Sequence, residues 1–341
     1  MTRNASNTSL PDATKVNAAA VAWLSEGRAV AQATVIETWG SAPVPVGGRM
    51  VIASETDFQG SVSGGCVEAD VIVAAMDVLA DGKPQTLHFG IADETAWRAG
   101  LPCGCKIRIH VRRLEDGATY ETSQVFDDVQ HDRKPRMIAT RLSDGSQRVY
   151  STSETAPPEI AAALNAGLSG VVSGEEGETF LNAVKPAPRI VIVGATHVAQ
   201  ILSQMAEAAG YDVVVIDPRS AFASASRFDS ITVIKGWPEA ELKNYANDPF
   251  TAVVTLTHVG RVDDEALKIA MRAPCCYIGA LGSRKTHADR VSRLKEASFT
   301  DAEIGRIRAP IGLNIGGKSP GEIAVSILAE VVAAFHGKLA T

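Results

Sequence analysis

The sequence predicts an α/β protein in which an α+β N-terminal domain is followed by a Rossmann-like domain with a doubly wound parallel sheet. Three observations favour this fold. From residue 189 onward, short apolar runs alternate with helical stretches, and strands without polar alternation are typical of a parallel sheet that helices cover on both faces. Before residue 189, the strand-like and helical runs are separated by segments rich in glycine and proline. The length of 341 residues fits two domains of about 150 residues each.

The N-terminal domain is predicted to extend over residues 16–185, after a polar tail over residues 1–15. Apolar residues at helical spacing, Val67, Val71, Ala74 and Val78, predict a helix that ends at Asp81-Gly82. A β-hairpin is predicted near residues 136–150, because Asp-Gly at 144–145 stands between two β-prone runs. The other predicted elements are helices over residues 18–25 and 158–168 and strands over residues 29–39, 49–53, 85–89 and 106–112.

The C-terminal domain is predicted to extend over residues 186–341, after a proline-rich linker. Its strands are predicted over residues 190–193, 213–216, 231–234, 253–256 and 276–278, and its last helix over residues 320–335. Regular alternation of this kind predicts parallel strands whose carboxyl ends meet at one edge of the sheet. Open α/β sheets bind their ligands at that edge.

Composition and charge exclude several classes of protein. Lys and Arg number 33 against 39 Asp and Glu, which gives a net charge of −6, whereas a protein that binds nucleic acid or a membrane surface would show a basic excess. No apolar run is long enough for a transmembrane helix, and the polar N-terminus lacks the apolar core of a signal peptide. We therefore expect a cytoplasmic protein. The chain carries no motif of a hydrolase, an NTPase or a metalloprotease, and we expect neither catalytic residues nor a bound metal ion.

A glycine-rich loop with a cysteine precedes the helix predicted over residues 67–81. Two adjacent glycines, Gly64 and Gly65, allow backbone N–H groups to converge at the start of the helix, which is a typical anion site. In the first turn, the helix dipole would favour the thiolate of Cys66, and Glu68 suits that turn for the same reason. The alternative is that Cys66 is a small apolar side chain that fills space.

The other cysteines form two pairs, and the total of five is typical of free thiols in a reducing compartment. Cys103 and Cys105 flank a glycine beside a turn. Together with Cys66, they are soft sulfur groups that suit a metal or a metal-bearing ligand, but the chain has no C-x-x-C or H-x₃-H pair to complete a zinc site. Cys275 and Cys276 stand at the start of a predicted strand, and we expect both to be buried core thiols.

Residues 194–199 occupy the strand–turn–helix position of a dinucleotide fingerprint. Gly194 provides the tight turn and Ala199 is accepted at the third position, whereas Thr196 replaces the second glycine. Asp217 ends the second strand, where an acidic residue would bind a ribose hydroxyl. Two interpretations stay open: the domain binds NAD(P) or FAD, or it is a Rossmann-like domain that binds no nucleotide.

Other polar residues at the same edge of the sheet also suit an anion. The loop after the fifth strand combines glycines, the Ser283 hydroxyl and the cations Arg284 and Lys285 just before a predicted helix. The alternative to an anion site is an ordinary turn followed by a helix whose first residues are exposed to solvent. His197 is either a phosphate contact or an exposed capping residue, and Arg219 is either a contact for a 2′-phosphate or a surface charge.

Together, these motifs resemble the XdhC/CoxI family, accessory proteins of xanthine dehydrogenase and other molybdenum hydroxylases. The resemblance extends over nearly the whole chain, in the two-part order of the family. It rests on residues 40–43, 60–68, 88–90 and 100–104 in the first domain and on residues 194–198, 216–219, 277–284 and 309–316 in the second. Cys105 and Thr196 depart from the family's pattern, which has glycine at both positions.

The resemblance implies a chaperone that binds the molybdenum cofactor (molybdopterin), protects it while its terminal sulfur is installed, and passes it to a xanthine dehydrogenase-type apo-enzyme. A cysteine desulfurase-type sulfur donor is the second implied partner, and a homodimer is an open alternative to a monomer. Cys66 is the implied cofactor-contacting thiol, and Cys103 is the second candidate. The rival interpretations are an NAD(P)-dependent oxidoreductase and a nucleotide-binding module. The predicted cofactor-binding residues are Ser63, Gly64, Gly65, Cys66, Glu68, Cys103, Gly194, Ala195, Thr196, His197, Asp217, Ser283 and Arg284.

Overall fold

The computed structural model of the protein describes residues 10–40, 42–90, 106–151, 156–175 and 177–339, and of residues 10–14 and 116–123 the backbone alone. The chain divides into two compact units, Met1–Pro186 and Ala187–Thr341. The mixed α/β fold class is confirmed. None of the described helices is both long and apolar enough to cross a membrane.

The first unit contains a five-stranded antiparallel sheet with one helix packed on each of two sides. Its strands are β1 (Ala31–Trp39), β2 (Arg49–Ile52), β3 (Phe58–Gly60), β4 (Gln85–Phe89) and β5 (Lys106–Arg113), in the spatial order β3-β2-β1-β5-β4. Helix α2 (Glu68–Asp81) covers one face, where valines and alanines of the helix pack on alternate residues of the strands. Helix α1 (Leu10–Ser25) packs against β2 and β3 through a smaller apolar cluster.

A second antiparallel sheet in this unit faces the first. Its strands are β6 (Arg136–Arg141), β7 (Gln147–Ser151), β8 (Gly170–Gly174) and β9 (Gly177–Val184), in the order β7-β6-β9-β8, with helices α3 (Asp116–Asp132) and α4 (Pro158–Ala166). Ile36 of the first sheet meets Phe180 of the second in a shared cluster. The second sheet and α1 therefore share the face of the first sheet that α2 leaves uncovered.

Several predictions for the first unit are confirmed, and others are incomplete. The predicted hairpin is confirmed as β6 and β7, with Gly145 at φ 73° in its turn. The helix predicted from residue 18 begins earlier, at Leu10. Helix α3 was not predicted, because its buried apolar residues Val125, Phe126 and Val129 occupy little more than one turn. Strands β3, β8 and β9 were not predicted either, since they are short or carry polar and glycine residues.

The second unit is a doubly wound parallel sheet. Its strands are β10 (Arg189–Val193), β11 (Asp212–Ile216), β12 (Thr232–Ile234), β13 (Thr251–Thr255), β14 (Tyr277–Ala280) and β15 (Ile307–Arg308). The spatial order β12-β11-β10-β13-β14-β15 places β10 and β13 side by side at the point where the order reverses. Ligands of such folds bind at that switch point. The predicted strands are confirmed, and the two-residue β15 is an addition.

Helices cover both faces of this sheet. They are α5 (His197–Ala208), α6 (Pro238–Glu241), α7 (Gly260–Arg272), α8 (Arg284–Glu296), α9 (Asp301–Ile304) and α10 (Pro320–Phe335), with short 3-10 helices at Ala225–Arg227 and Leu242–Asn244. Val191 and Val253 point toward the core with α7 and α8, while Ile190 and Val254 point toward the core with α5 and α10. Alternate residues of each strand are thus buried on opposite faces.

The two adjacent cysteines of this unit differ in burial. Cys275 is buried, as predicted, whereas Cys276 is exposed, so the prediction for Cys276 was wrong. The reason is that β14 begins at Tyr277, and Cys276 precedes the strand. Cys276 nevertheless stays close to β13, because its N–H donates to the carbonyl of Thr251 at 2.9 Å.

Candidate functional site

The glycine-rich loop of the first unit is organised by the carboxylate of Glu68. Glu68 is the first residue of α2, and its side chain turns back over the loop that precedes the helix. One oxygen, Oε1, accepts from the Ser61 hydroxyl at 2.6 Å and from the Ser63 N–H at 2.9 Å. The other oxygen, Oε2, accepts from the Ser63 hydroxyl and from the Gly65 N–H at 2.9 Å. A single side chain therefore holds both ends of the loop.

Hydroxyl groups complete the hydrogen bonding of the same loop. Ser63 is buried, and its Oγ accepts from the N–H groups of Cys66 at 2.9 Å and Val67 at 3.0 Å. The Ser61 hydroxyl accepts from the Gly64 N–H at 2.9 Å. These amides do not form the open anion site that the glycine pattern predicts, because acceptors of the chain itself already occupy them.

The electrostatics of the loop favour an ionised Glu68. Burial raises the pKa of this carboxyl, but hydrogen bonds from Ser61 and Ser63 outweigh that effect and lower the pKa to about 2. A carboxylate with several donors is stabilised in its charged form. Glu68 is consequently negative at neutral pH, which disfavours an anion at the start of α2.

Replacing Glu68 by glutamine is expected to lower the free energy of unfolding by about 2 kcal/mol, because charge-assisted hydrogen bonds are lost. The pKa depression would correspond to about 3 kcal/mol in a fully buried group, and solvent screening of the partly exposed carboxylate reduces that figure. Since the pKa in the folded state lies below 4.5, the contribution is present above pH 4.5 and is lost as the pH falls toward 2. Urea unfolding at pH 7 and pH 3 measures both effects, and the variant should differ less from the wild type at pH 3.

Asp70→Asn provides the control for Glu68→Gln. Asp70 is the other acidic residue in the first turn of α2, and it is exposed. Its neutralisation removes a charge from the same helix end and is expected to cost about 0.5 kcal/mol. Equal losses for the two variants would show that the loop contacts of Glu68 contribute nothing beyond its charge.

Cys66 presents a half-buried free thiol on this loop. It stands one residue before the N-cap Val67, so the prediction that it lies in the first turn of α2 was wrong. Gly64 and Gly65 adopt φ values of 79° and 110° and are exposed, and a Cβ at Gly65 would meet nothing within 4 Å. The two glycines thus satisfy the backbone turn. Open space lies beside Gly65, whereas a Cβ at Gly64 would lie 3.5 Å from the ring of Pro43.

The second pair of thiols lies outside the described residues. Cys103 and Cys105 therefore stay predictions. Among the residues that the structure describes, no group of three or more His, Cys, Asp and Glu side chains is arranged to hold a metal ion.

In the second unit, Gly194 directly follows β10 at the switch point of the sheet. Its φ of 111° is favourable for glycine alone, and a Cβ there would lie 2.6 Å from Thr257 Cγ2 and 2.9 Å from the Thr257 backbone nitrogen. Ala195 is buried, and Thr196 is the N-cap of α5, where its hydroxyl accepts from the Ala199 N–H at 3.4 Å. The threonine that replaces the second glycine of the fingerprint therefore caps the helix. His197 begins α5 and is exposed.

Asp217 is fully buried and already has partners on both oxygens. Oδ1 accepts from the backbone N–H and the Nε of Arg219, each at 2.9 Å. Oδ2 accepts from the Ala195 N–H at 2.8 Å and from Arg219 Nη2 at 2.6 Å. Burial raises the pKa of Asp217, but the bonds from Arg219 and Ala195 hold it below its usual value. A ribose hydroxyl would have to displace Arg219, so the predicted ribose contact is closed in this arrangement.

The loop after β14 also uses its polar groups internally. Ser283 is the N-cap of α8, and its hydroxyl accepts from the Thr286 N–H at 3.1 Å. Arg284 and Lys285 are exposed at the start of α8. Behind them, the buried Arg290 donates to the Leu281 carbonyl at 3.2 Å. The structure thus places the cations of this loop at the surface, at the carboxyl edge of the sheet.

Comparison with known proteins decides the family. Residues 23–90 match the XdhC and CoxI family, and residues 190–331 match the XdhC Rossmann domain. The chain belongs to the XdhC and CoxI family. The Cys66 loop falls within the first match, and the Gly194 turn, Asp217 and Ser283 fall within the second.

Relatives of this XdhC and CoxI family protein carry related names. The chain is 29% identical over 313 residues to the molybdenum cofactor insertion chaperone PaoD of Escherichia coli, covering 92% of this chain and 85% of that protein. It is 27% identical over 311 residues to a protein of Bacillus subtilis named as a probable subunit of xanthine dehydrogenase, covering 88% and 91%. A crystal structure of a xanthine dehydrogenase from Bacillus halodurans has the same fold, with a TM-score of 0.71, 23% identity and coverage of 95% and 96%.

Two charged residues of the XdhC Rossmann domain, Asp263 and Arg290, were not predicted from the sequence. Asp263 is buried on α7 and accepts from the Thr257 hydroxyl at 2.7 Å, and Arg290 Nη2 lies 3.9 Å from Asp263 Oδ2. The sequence contains a signal that could have revealed this buried pair. Asp263 stands on the apolar stripe of α7 with Ala266, Leu267 and Ala270, and a charged residue on such a stripe indicates a buried polar partner.

Proposed function

We propose that the protein is a molybdenum cofactor chaperone, which binds the cofactor (molybdopterin), protects it and delivers it to a xanthine dehydrogenase-type enzyme. The observation that carries this proposal is the half-buried free thiol of Cys66 on a loop that Glu68 holds in place. A relative named as a molybdenum cofactor insertion chaperone supports it. In this role the cofactor is cargo, and the chain changes none of its bonds.

The chemistry of Cys66 fits a metal-bearing ligand better than a purely anionic one. Soft ligands such as thiolate suit a thiolate-bound metal centre, and the open space at the neighbouring Gly65 leaves room for a ligand on that side of the loop. The amides of the loop are already bonded, so this loop does not offer them to an anionic group. Cys103 is the proposed second thiol of the first unit, and His197, Ser283 and Arg284 are proposed separately as an anion site of the second unit.

The proposed cycle also needs protein partners. An apo-enzyme of the xanthine dehydrogenase type would receive the cofactor, and a sulfur donor of the cysteine desulfurase type would supply the terminal sulfur while the cofactor is held. The relative named as a probable subunit of xanthine dehydrogenase supports the first assignment.

Cys66→Ala tests the proposed contact. We expect the wild-type protein, purified anaerobically from cells that make the cofactor, to carry molybdenum and pterin. The molybdenum and pterin content of the variant should be at least about tenfold lower, which corresponds to the loss of one ligand contact of about 1.4 kcal/mol. Molybdenum is measured by mass spectrometry, and pterin by fluorescence after oxidation.

Cys276→Ala is the matched control, because Cys276 is an exposed free thiol on the second unit. It should retain the wild-type content of molybdenum and pterin. A wild-type protein without pterin would overturn the proposal, as would equal losses in the two variants. Tight NAD(P)H binding with hydride transfer would instead support an oxidoreductase.

A further inference from the structure

The first unit contains a buried cluster of basic side chains between its two sheets, separate from the Cys66 loop. The basic cluster consists of Arg49 on β2 and His110 and Arg112 on β5, which are 7%, 2% and 6% exposed. On β5 they alternate with Ile109 and Val111, which pack in the core under α2. The basic cluster therefore occupies the opposite face of the sheet, which the second sheet covers.

Arg112 forms no ion pair with an acidic side chain within the described part of the chain. Its guanidinium donates to two neutral oxygens, Gln147 Oε1 at 2.7 Å and Gln32 Oε1 at 3.4 Å. Glu115 attracts it through space but makes no hydrogen bond to it. The hydrogen bonds of Arg112 thus go to groups that carry no charge.

Arg49 is buried with even fewer polar contacts. Its guanidinium lies 4.1 Å from the ring centre of Phe126, and its buried Nε has no hydrogen-bond partner among the described residues. Burial and the charge of Arg112 lower the pKa of Arg49 to about 9, so both arginines are positive at pH 7. Two buried cations without a paired counter-charge cost several kcal/mol per ion in a protein interior.

His110 adds an unused polar atom to the same place. Its Nδ1 lies 3.2 Å from the Thr86 hydroxyl, while its buried Nε2 has no partner among the described residues. Burial, together with the charges of Arg112 and Arg108, lowers the pKa of His110 to about 4. The ring is therefore neutral at pH 7. When the Thr86 hydroxyl donates to Nδ1, Nε2 carries the proton and is a free donor.

A small cavity joins these groups. It is lined by the three residues of the basic cluster and by neutral polar side chains from both sheets, among them Thr34 and Thr140. The cavity has a volume of about 10 Å³, which is about the space that one water needs. A halide ion is larger than a water, so the lining side chains have to move outward slightly to hold one, whereas an oxyanion with four oxygens, such as sulfate or phosphate, is far too large.

We propose that this cavity is a structural site for one halide ion, which is chloride under ordinary conditions. A monatomic anion supplies the missing negative charge between Arg49 and Arg112 and accepts from the free donors at Arg49 Nε and His110 Nε2. Because the lining residues come from β1, β2 and β5 of the first sheet and from β6, β7 and β9 of the second, the ion would hold the two sheets together. A ligand that binds only the folded state raises stability with its concentration.

Thermal unfolding of the full-length protein tests the halide site. We expect sodium chloride and sodium bromide to raise the melting temperature by at least about 3 °C over sodium gluconate at the same ionic strength, with saturation, and sodium sulfate to give no such saturating rise. Crystals soaked in bromide should show an anomalous peak beside Arg49. Equal melting temperatures in chloride and gluconate, with no bromide peak, would overturn the proposal and assign the cavity to water.

Arg49→Met removes one charge of the basic cluster with little change in volume. The variant should lose the halide dependence of its melting temperature. Arg148→Met is the control, since Arg148 is an exposed arginine of the same unit that lies 5.0 Å from the ring of Tyr150, and it should keep that dependence. An unchanged halide effect in Arg49→Met would contradict the assignment, and if Arg49→Met does not fold, the chloride and bromide measurements on the wild-type protein decide alone.

Discussion

Replacing Gly194 by alanine is expected to lower the free energy of unfolding by about 4 kcal/mol. Two costs add. A residue with a Cβ at φ 111° is strained by about 1–2 kcal/mol, and the new carbon would lie 2.9 Å from the backbone nitrogen of Thr257 and 3.1 Å from the carbonyl carbon of Leu256. Because these neighbours are backbone atoms, they cannot rotate away, and overpacking of this kind costs about 1–3 kcal/mol. Urea unfolding followed by circular dichroism measures the loss.

Gly210→Ala separates strain from contact. Gly210 follows the other end of α5, adopts φ 85°, and a Cβ there would meet nothing within 4 Å. Its replacement is expected to cost only the strain, about 1–2 kcal/mol. If the two variants lose the same free energy of unfolding, the close contact that a Cβ at residue 194 would make with Thr257 adds nothing to the cost of the substitution.

The second unit shows what a sequence of this kind predicts well. Strands such as β10 and β13 are buried on both faces, so they are continuous apolar runs that stand out from the helices between them. Strand β15 has two residues, Ile307 and Arg308, and is too short to leave any pattern. The predicted start of β14, at Cys276, is one residue earlier than the observed start, because Cys276 is apolar in character but precedes the strand.

The first unit shows where such prediction ends. Strand β5 alternates isoleucine and valine with arginine and histidine, a pattern typical of a strand with one solvated face. In the structure, His110 and Arg112 are buried by the second sheet. Strands β6, β7 and β9 of the second sheet cover that face, and they lie far along the chain, so no local feature of β5 reveals its burial.

The candidate site in the first unit could also be predicted only in part. The glycine pattern before α2 predicts a special loop around Cys66, and the φ values of Gly64 and Gly65 confirm that loop. The direction of the Glu68 side chain was not predictable, since a first-turn glutamate is equally favourable when it points to solvent. Because the Glu68 carboxylate turns back into the loop and accepts from its N–H groups, these groups are not available to an anion.

Arg219→Met is expected to lower the free energy of unfolding by about 3 kcal/mol. The substitution keeps an unbranched apolar side chain beside Phe222 but loses the guanidinium, which lies 4.0 Å from the centre of that ring. It also removes the side-chain donors from Asp217, a carboxylate that is fully buried. A buried charge that loses its partner costs about 3–5 kcal/mol, and the remaining bonds from the N–H groups of Ala195 and residue 219 place the loss at the lower end. Urea unfolding at neutral pH measures this loss.

The pH dependence of the Arg219 variant distinguishes charge pairing from packing. Arg219 holds the pKa of Asp217 below its ordinary value of 3.8 in the folded state, so its contribution is present above pH 3.8 and is lost as the pH falls further. The difference between variant and wild type should therefore be largest near pH 7 and shrink below about pH 4. Arg261→Met is the control, because Arg261 stacks on Trp237 at 4.9 Å. Its smaller loss should not change with pH, and an Arg219 variant with the same flat profile would show that Asp217 does not need its partner.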